Sequence, residues 1–384
     1  MSPALRMSLF FFVMFGTVGV HLPYWPVWLS GRGLGPTELG LVMASGFIVR
    51  GLTAPLVGSL SDRARDRRTV LVGASAVALF AGLLFHFADT LWMILLATAV
   101  MTVGFGAIGP MAENQAMLLA TARRLDYGPV RAVGAMGFVA TSVLGGWFLA
   151  GRSPETVLAM VVAMIALLIL ASAVLPEAPT APHAERRGEV GPLVRQPTIR
   201  WLLAAVALIQ CSHAFFYSFG TLEMRRMGVG DAAIGLLWSV GVLAEIVLFW
   251  RGQSVLKRFD PVTLLAVAGA GGVVRWVAMA LLETPALLAF VQLLHAITFA
   301  CCHLAMMIIL ARAVPVSHSA TAQGLFAAGS AAFGMGSAMA FAGWLYGSFG
   351  VYGYFGMAAM AALGIGAGLM VGRSWHGGML DLSR

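Results

Sequence analysis

Long apolar segments follow one another along almost the whole chain, and this pattern limits the possible folds more than any other feature. Twelve such segments can be drawn, with approximate bounds at 8–29, 38–60, 69–88, 91–118, 131–150, 155–175, 201–224, 232–251, 262–282, 285–311, 320–346 and 351–372. Each is long enough to cross a bilayer as a helix, which takes about 20 apolar residues. The runs are continuous and do not alternate with a period of two, which disfavours membrane strands. The sequence therefore predicts an all-α membrane protein with twelve transmembrane helices.

Composition supports a lipid environment. Apolar residues make up 60% of the chain and charged residues 10%, whereas a soluble domain carries about 25% charged residues. So apolar a surface would aggregate in water, but it can face acyl chains in a bilayer. The net charge is +8, and the basic residues lie in short connections between the apolar segments. The sequence does not show the combination of aromatic and basic residues that forms a nucleic-acid-binding surface. The lipid bilayer is therefore a predicted partner, and nucleic acid is not.

The polar stretch over residues 176–200 divides the chain into two halves. It holds five prolines and mixed charge, which is typical of a linker. We expect an N-terminal six-helix bundle over 1–175 and a C-terminal six-helix bundle over 201–384. Two repeated bundles are typical of secondary transporters.

Basic residues predict the orientation of the chain. If the N-terminus is cytoplasmic, eighteen of the 24 arginines and lysines lie on the cytoplasmic side, four on the opposite side and two within spans. Short cytoplasmic loops carry such an excess of basic residues. Both termini and the linker are therefore predicted to be cytoplasmic.

Ionisable residues inside the apolar segments are the candidates for function. Each costs about 2.5–3.5 kcal/mol at the bilayer centre, so those that persist usually pair with one another or line a pathway. They are Arg50, Glu113, Arg131, His213, Glu245, Arg275, His295 and His303. The structural alternatives are a static ion pair for the charged residues and a hydrogen-bonded core position for the histidines.

Glu245 and Arg275 lie in uninterrupted apolar surroundings. A carboxylate in such a place can take up a proton near neutral pH. Arg275 stays charged and needs an anion, which could be Glu245, a substrate carboxylate, or each in turn. His295 could assist the proton transfer. His303 follows about 80° round the helix and about 12 Å along it, so we expect it in a different layer.

Glu113 and Arg131 form the matching pair of charges in the N-terminal half. Arg131 could instead be an ordinary arginine at the cytoplasmic mouth. His213 precedes a run of aromatic residues at 215–219. That run could line a pocket for an aromatic ligand, or it could pack in the core or against lipid.

Sequence patterns for ATP use and for catalysis are missing. The chain has no glycine-rich phosphate loop followed by Lys and Ser or Thr, and no Ser-His-Asp or His-Glu-x-x-His pattern in a plausible setting. We therefore predict no cofactor, no metal site and no enzyme activity. An ion or substrate gradient acting on the buried charges would supply the energy for transport.

Residues 58–68 resemble the signature loop of the major facilitator superfamily. The matching residues are Gly58, Asp62, Arg63, Arg67 and Arg68. The resemblance implies a gating loop that latches the cytoplasmic ends of helices. It also implies the major facilitator fold, which normally works as a monomer.

Segments in both halves resemble the bacterial 3-phenylpropionic acid transporter family, which is related to lactose permease. They are residues 22–28, 125–131, 237–245, 272–276 and 291–304. The resemblance implies that Arg131 and Glu113 correspond to the substrate-binding arginine of lactose permease and its acidic partner. It implies that Glu245, Arg275 and His295 correspond to the binding carboxylate, the coupling arginine and the central histidine. We therefore predict substrate binding by Arg131, Glu113, Arg275, Tyr24 and His213, and proton coupling by Glu245, His295 and His303.

Two positions depart from the lactose permease pattern. Thr298 stands where that symporter has its proton-carrying carboxylate, three residues after the central histidine, and Gln292 replaces a basic residue three before it. If protons drive transport in this chain, Glu245 or a histidine must carry them.

The sequence therefore predicts proton-coupled uptake of a small organic anion such as an aromatic carboxylate, across a bacterial cytoplasmic membrane. A transporter for a sugar or nucleoside, or an efflux pump for amphiphilic compounds, is the alternative within the same fold. A membrane sensor that binds its ligand without moving it is a more remote alternative.

Overall fold

The computed structural model describes residues 1–63, 67–177, 189–252, 254 and 258–382, of which 54–63, 107 and 331 are described by their backbone alone. Throughout this part of the chain the regular structure is helical, so the predicted all-α class is confirmed. The α-helices are α1 Pro3–Gly31, α2 Pro36–Arg63, α3 Arg67–Leu84, α4 Leu91–Thr121, α5 Tyr127–Leu149, α6 Glu155–Ala173, α7 Val190–Arg195, α8 Pro197–Cys211, α9 Ala214–Arg226, α10 Asp231–Trp250, α11 Pro261–Leu281, α12 Leu288–His295, α13 Cys302–Ala313, α14 Val316–Phe326, α15 Met335–Phe349 and α16 Tyr354–Ser374. Two π-helical segments, Ala296–Cys301 and Ala327–Gly334, join α12 to α13 and α14 to α15.

Ten helical segments among the described residues are long and apolar enough to cross a membrane. One of them, Val316–Ser374, has 59 residues and contains α14, α15 and α16. The helix α2 is not among the ten. A multi-pass membrane protein is therefore confirmed, and the number of twelve spans stays a prediction.

Local signals in the sequence begin and end several helices. The side-chain oxygen of Thr90 accepts a hydrogen bond from the backbone of Met93 at the start of α4. Asp260 does the same for Val262 and Thr263 at the start of α11. These are N-caps, which satisfy backbone donors that the first helical turn leaves free. Gly350 has a φ of 56° and ends α15, a conformation that glycine adopts without steric cost.

Residues Met1–Pro182 and Phe219–Ser239 form one compact unit, called unit 1 below. Its core contains Met7, Phe10 and Phe11 of α1, which are fully buried against residues of α4 and α5. The helices α1 and α5 approach closely because Gly137 lies against the carbonyl oxygen of Phe12, where any side chain would overlap. Lipid supplies no hydrophobic driving force between helices, so their association depends on close packing, which small residues allow.

Residues His183–Ser218 and Val240–Arg384 form the second compact unit, unit 2. Its core contains buried side chains of α8, α11 and α13. Glycines again allow close packing: a side chain at Gly364 of α16 would lie 2.6 Å from Ile209 of α8. The middle of the predicted linker, residues 178–188, lies outside the described residues.

Candidate functional site

Arg275 lies in the middle of α11, and only 1% of its surface is exposed. Its guanidinium donates to His295 Nδ1 at 3.0 Å and to Gln292 Oε1 at 2.9 Å. A third hydrogen bond reaches Thr298 Oγ1 at 3.3 Å. The guanidinium also lies over the rings of Trp276 and Phe216, 4.6 and 5.1 Å from their centroids. These hydrogen bonds all end on uncharged acceptors, so they satisfy donors of Arg275 without balancing its charge.

His295 connects Arg275 to a carboxylate. Because Arg275 has only donors, His295 Nδ1 must accept, and the proton of the neutral ring is therefore on Nε2. That nitrogen lies 3.3 Å from Glu245 Oε2. Arg275, His295 and Glu245, three of the residues that the sequence singled out, therefore lie in a row. His295 therefore lies between Arg275 and Glu245 and contacts both. A proton added at His295 Nδ1 would break its hydrogen bond with Arg275.

His213 contacts the same cluster from the short turn between α8 and α9. Its Nδ1 lies 2.9 Å from the carbonyl oxygen of Gln210, and its Nε2 lies 2.9 Å from Thr298 Oγ1. A carbonyl only accepts, so Nδ1 carries the proton of the neutral ring and Nε2 accepts from Thr298. The ring of His213 is fully buried, 5.1 Å from Trp276. His213 is thus a member of the polar network, in which Thr298 joins it to Arg275.

Three rings form a column along the helical stretch that contains α12 and α13. His295 stacks on Phe299 with centroids 5.4 Å apart, and Phe299 stacks on His303 at 6.4 Å. The π-helical segment Ala296–Cys301 lies in this column, and such segments occur often at functional sites. His303 also contacts the ring of Phe249 in α10. Phe299 lies between the two histidine rings, so the different layer expected for His303 stays a prediction, while the wider π turn brings its ring into line with Phe299.

Glu113 and Arg131 form the ion pair that the sequence predicted as a possibility. Arg131 Nε lies 2.9 Å from Glu113 Oε1, and the hydroxyl of Tyr127 donates to Glu113 Oε2 at 2.6 Å. The guanidinium of Arg131 lies 4.0 Å from the ring centroid of Phe15. About a third of each charged side chain is exposed, 36% for Arg131 and 32% for Glu113. This pair is direct and half-buried, and it belongs to unit 1.

Tyr24 is buried, and its hydroxyl donates to the backbone carbonyl of Ser142 at 2.7 Å. The same carbonyl lies against Gly235, while Gly146 lies against the carbonyl of Asp231. These contacts all fall within unit 1, because residues 219–239 belong to it. The hydroxyl of Tyr24 is therefore occupied in joining α1 to α5.

The predicted gating loop is described only in part. Gly58, Asp62 and Arg63 fall among residues described by their backbone alone, and 64–66 lie outside the described residues. Arg68 donates to the backbone carbonyl of Leu175 at 2.8 Å. The latch role stays a prediction.

The structure adds residues that sequence reasoning did not assign to a site. Gln292 and Thr298 were noted only as departures from a pattern, yet both hydrogen-bond to Arg275. Their spacing from His295, three residues on either side, was the available signal, because such residues share a helix face. A second feature is a cavity in unit 1 that includes Arg50 and His21 in its wall. The charge of Arg50 was noticed in the sequence, but its surroundings come from several helices.

Comparison with known proteins identifies a family and several relatives. A family model described as the MFS_1 like family matches residues 4–357. The chain is 32% identical over 308 residues to the "Probable 3-phenylpropionic acid transporter" of Escherichia coli (strain K12), which covers 78% of this chain and 80% of that one. It is 26% identical to the "Maltose permease" of Geobacillus stearothermophilus, over 71% of this chain and 70% of that one.

Solved structures share the fold. The nucleoside transporter NupG superposes with a TM-score of 0.78 at 16% identity, over 97% of this chain and 99% of that one. A bacterial homologue of the human lysosomal transporter Spinster, in an inward-facing and occupied conformation, gives 0.77 at 15% identity, over 97% and 96%. At these identities the likeness concerns the fold alone.

Proposed function

Because this chain belongs to the MFS_1 like family of transporters, we propose that it is a proton-coupled secondary transporter that takes up a small organic anion. The proposed substrate class is an aromatic carboxylate similar to 3-phenylpropionate. The proposed architecture has twelve spans in two six-helix halves, 1–175 and 201–384, joined by a cytoplasmic linker over 176–200. The transporter would work as a monomer in a bacterial cytoplasmic membrane, with both termini inside.

The buried guanidinium of Arg275 is the observation that carries this proposal. A charge in the membrane interior usually pairs with an opposite charge or marks an ion pathway. Arg275 is hydrogen-bonded to neutral side chains, and Glu245 is separated from it by His295. A planar guanidinium favours a carboxylate ligand, which it can bind through two parallel hydrogen bonds. The name of the 32% identical relative supports the same substrate class.

Charge balance suggests how a proton and an anion would cross together. While Glu245 is ionised, its charge faces the imidazole that contacts Arg275. Once Glu245 takes up a proton, a substrate carboxylate that reaches Arg275 would restore the balance. The proton and the anion would then enter as a neutral pair, and two halves moving about a central site would alternate its access.

The remaining candidates have supporting roles in this proposal. Glu113 would hold Arg131 in the empty state and release it to a substrate carboxylate. His213 would set the direction of the Thr298 hydroxyl next to Arg275. Tyr24 would shape the substrate path through its bond to the backbone of Ser142. His303 would extend proton transfer beyond His295.

Uptake into proteoliposomes tests the proposal. Radiolabelled 3-phenylpropionate is supplied with and without an inward proton gradient, to the wild type and to Glu245→Gln. We expect the gradient to stimulate uptake in the wild type and to have no effect on the variant. Glu283→Gln is the matched control, because Glu283 is an exposed carboxylate outside the helices. Uptake that ignores the gradient would refute proton coupling, and no uptake under either condition would refute the substrate class.

Transport of a sugar or a nucleoside is the second candidate. It is favoured by relatives that are named maltose permease and nucleoside transporter. Adding excess unlabelled maltose or uridine to the same assay separates the candidates. The first candidate is supported if only the unlabelled aromatic acid competes with the labelled acid. The second candidate is supported if labelled maltose or uridine is itself taken up.

A further inference from the structure

A partly enclosed cavity of about 200 Å³ lies within unit 1, and none of its lining residues belongs to the Arg275 cluster. Its wall is built from residues of α1, α2, α4 and α6. Most of these residues are apolar, and the few polar ones include Arg50, His21, Thr98 and Thr102. A small number of polar groups in an apolar concave wall is the usual composition of a small-molecule site.

Arg50 brings an unbalanced positive charge to this wall. Among the described residues, its guanidinium is neither paired with a carboxylate nor hydrogen-bonded to any group. The stem of the side chain packs beside Gly106 of α4, where an added Cβ would lie 3.3 Å from Arg50 Cγ. The absence of a side chain at that position leaves room for the stem of Arg50. Arg50 is exposed, and an arginine in a membrane helix usually pairs with another group or marks a pathway for an ion or substrate.

His21 supplies a second unsatisfied polar group. Its Nε2 is buried and has no hydrogen-bond partner among the described residues. The ring is held by stacking on Trp25, with centroids 5.0 Å apart and planes 23° apart. A buried ring nitrogen without a partner is costly unless a ligand or a water molecule meets it. The wall thus offers a cation and a buried ring nitrogen that has no partner among the described residues.

Size and lining suit one aromatic ring. A cavity of about 150 Å³ lined by apolar side chains can hold benzene, so about 200 Å³ leaves room for a ring with a short acidic chain. Trp25, Phe47 and Phe105 line the same space. Aromatic pairs in edge or offset contact add about 0.5–1.5 kcal/mol beyond the burial of their area.

We propose that this cavity is a binding site for a compound with one aromatic ring and a carboxylate. Arg50 binds the carboxylate, His21 Nε2 provides the second polar contact, and the three aromatic side chains hold the ring. The inference rests on the proposed function for its substrate class, and it adds a binding position in unit 1, anchored by Arg50, to the one proposed at Arg275.

Equilibrium binding to the purified full-length protein in detergent tests the role of Arg50. The two probes are 3-phenylpropionate and its neutral counterpart 3-phenylpropanol, which keeps the ring and lacks the charge. We expect Arg50→Gln to bind the acid about tenfold to a hundredfold more weakly, as for the loss of a charged hydrogen bond. Its affinity for the alcohol should change less than about threefold. The exposed arginine Arg312 provides the control Arg312→Gln, which should leave both affinities unchanged.

A second pair of variants tests the cavity without altering charge. An added Cβ at Gly46, which lines the cavity, would make ordinary contacts at 3.5 Å from Thr102 and 3.7 Å from Thr98. Gly46→Leu therefore projects into the cavity without a backbone clash, and it should weaken both probes at least about tenfold. Gly73 lies in α3 and has open space around it, so Gly73→Leu should bind both probes as the wild type does.

The outcomes separate this inference from the proposed function. If the wild type binds and takes up the acid, and Arg50→Gln binds it equally well, the site is wrong while the transport function stands. An equal loss of acid and alcohol in Arg50→Gln, with a lower unfolding temperature, would make Arg50 a structural residue and overturn the assignment. If the wild type neither binds nor takes up aromatic acids, both proposals fail. Loss of the acid alone in Arg50→Gln, together with loss of both probes in Gly46→Leu, supports the site.

Discussion

The guanidinium of Arg131 in unit 1 lies 2.9 Å from a carboxylate, whereas the hydrogen bonds of Arg275 in unit 2 go to His295, Gln292 and Thr298. Arg131 is 36% exposed at its side chain, and Arg275 is 1% exposed. A half-exposed ion pair is balanced and screened by solvent, and it contributes about 0.2–1 kcal/mol. A fully buried cation among neutral acceptors keeps its field, so an arriving anion gains more from it. The comparison predicts that the role of Arg275 requires the shape of a guanidinium group, whereas the role of Arg131 requires only a positive charge.

The largest expected difference comes from replacing each arginine by lysine. Arg275→Lys keeps the charge, but one ammonium group cannot reproduce the fork that reaches both His295 and Gln292. Buried acceptors left without donors cost about 1–3 kcal/mol each, so uptake of 3-phenylpropionate should fall by about a hundredfold. Arg131→Lys should stay within about tenfold of the wild type, because lysine can still pair with Glu113. Initial rates per amount of folded protein decide this, and equal losses in both variants would remove the distinction.

Thr298→Val tests whether neutral partners matter to Arg275. The change keeps the shape and removes the hydroxyl that lies between Arg275 and His213. The loss of about 1–2 kcal/mol of hydrogen bonding should lower gradient-driven uptake by about tenfold. Thr121→Val is the control, because among the described residues that hydroxyl bonds only to the Met117 carbonyl of its own helix. A Thr298→Val protein with wild-type uptake would contradict a role for this network.

The smallest expected effect concerns the start of the helix that carries Arg275. Asp260 accepts from the backbone of Val262 and Thr263, and the hydroxyl of Thr263 lowers the pKa of its carboxyl. A carboxyl with a lowered pKa stabilises the fold at neutral pH and loses that contribution as the pH falls through its folded value. Asp260→Ala should cost about 1 kcal/mol at pH 7.

Thermal unfolding in detergent at several pH values measures this effect. The difference between the wild type and Asp260→Ala should shrink as the pH falls. Asp260→Asn keeps an acceptor at the cap and should lie between the two. A difference that grows in acid would contradict the assigned role, and lost uptake in Asp260→Asn would show that Arg275 depends on this helix end.

Helix positions were predictable because apolar length alone decides which segments suit a bilayer. The segment expected at 91–118 is α4, Leu91–Thr121, and the one expected at 131–150 is α5, Tyr127–Leu149. The early start of α5 matters, since it places Tyr127 in the helix, where its hydroxyl reaches Glu113. Charged residues were equally visible, because a charge inside an apolar run stands out.

The neighbours of those charges were harder to predict. Arg275 contacts His295, and Thr298 contacts His213, over 20 and 85 residues of sequence. Such contacts depend on how each helix is rotated about its axis relative to its neighbours. This rotation cannot be read from a single sequence. The cavity beside Arg50 is formed where side chains of four helices leave space, so no single segment indicates it.

The π-helical turn at Ala296–Cys301 makes the ring column sensitive to chain length. In a regular α-helix, residues four apart drift by about 40° round the axis, so His295 and His303 would differ by about 80°. The π-helical turn has more residues per turn and so reduces this angular difference. The rings of His295, Phe299 and His303 therefore lie in line. Deleting one residue in this turn would rotate everything after it by about 100°. A chain shortened by one alanine there would keep all three rings and lose their alignment, so the number of residues is itself part of the site.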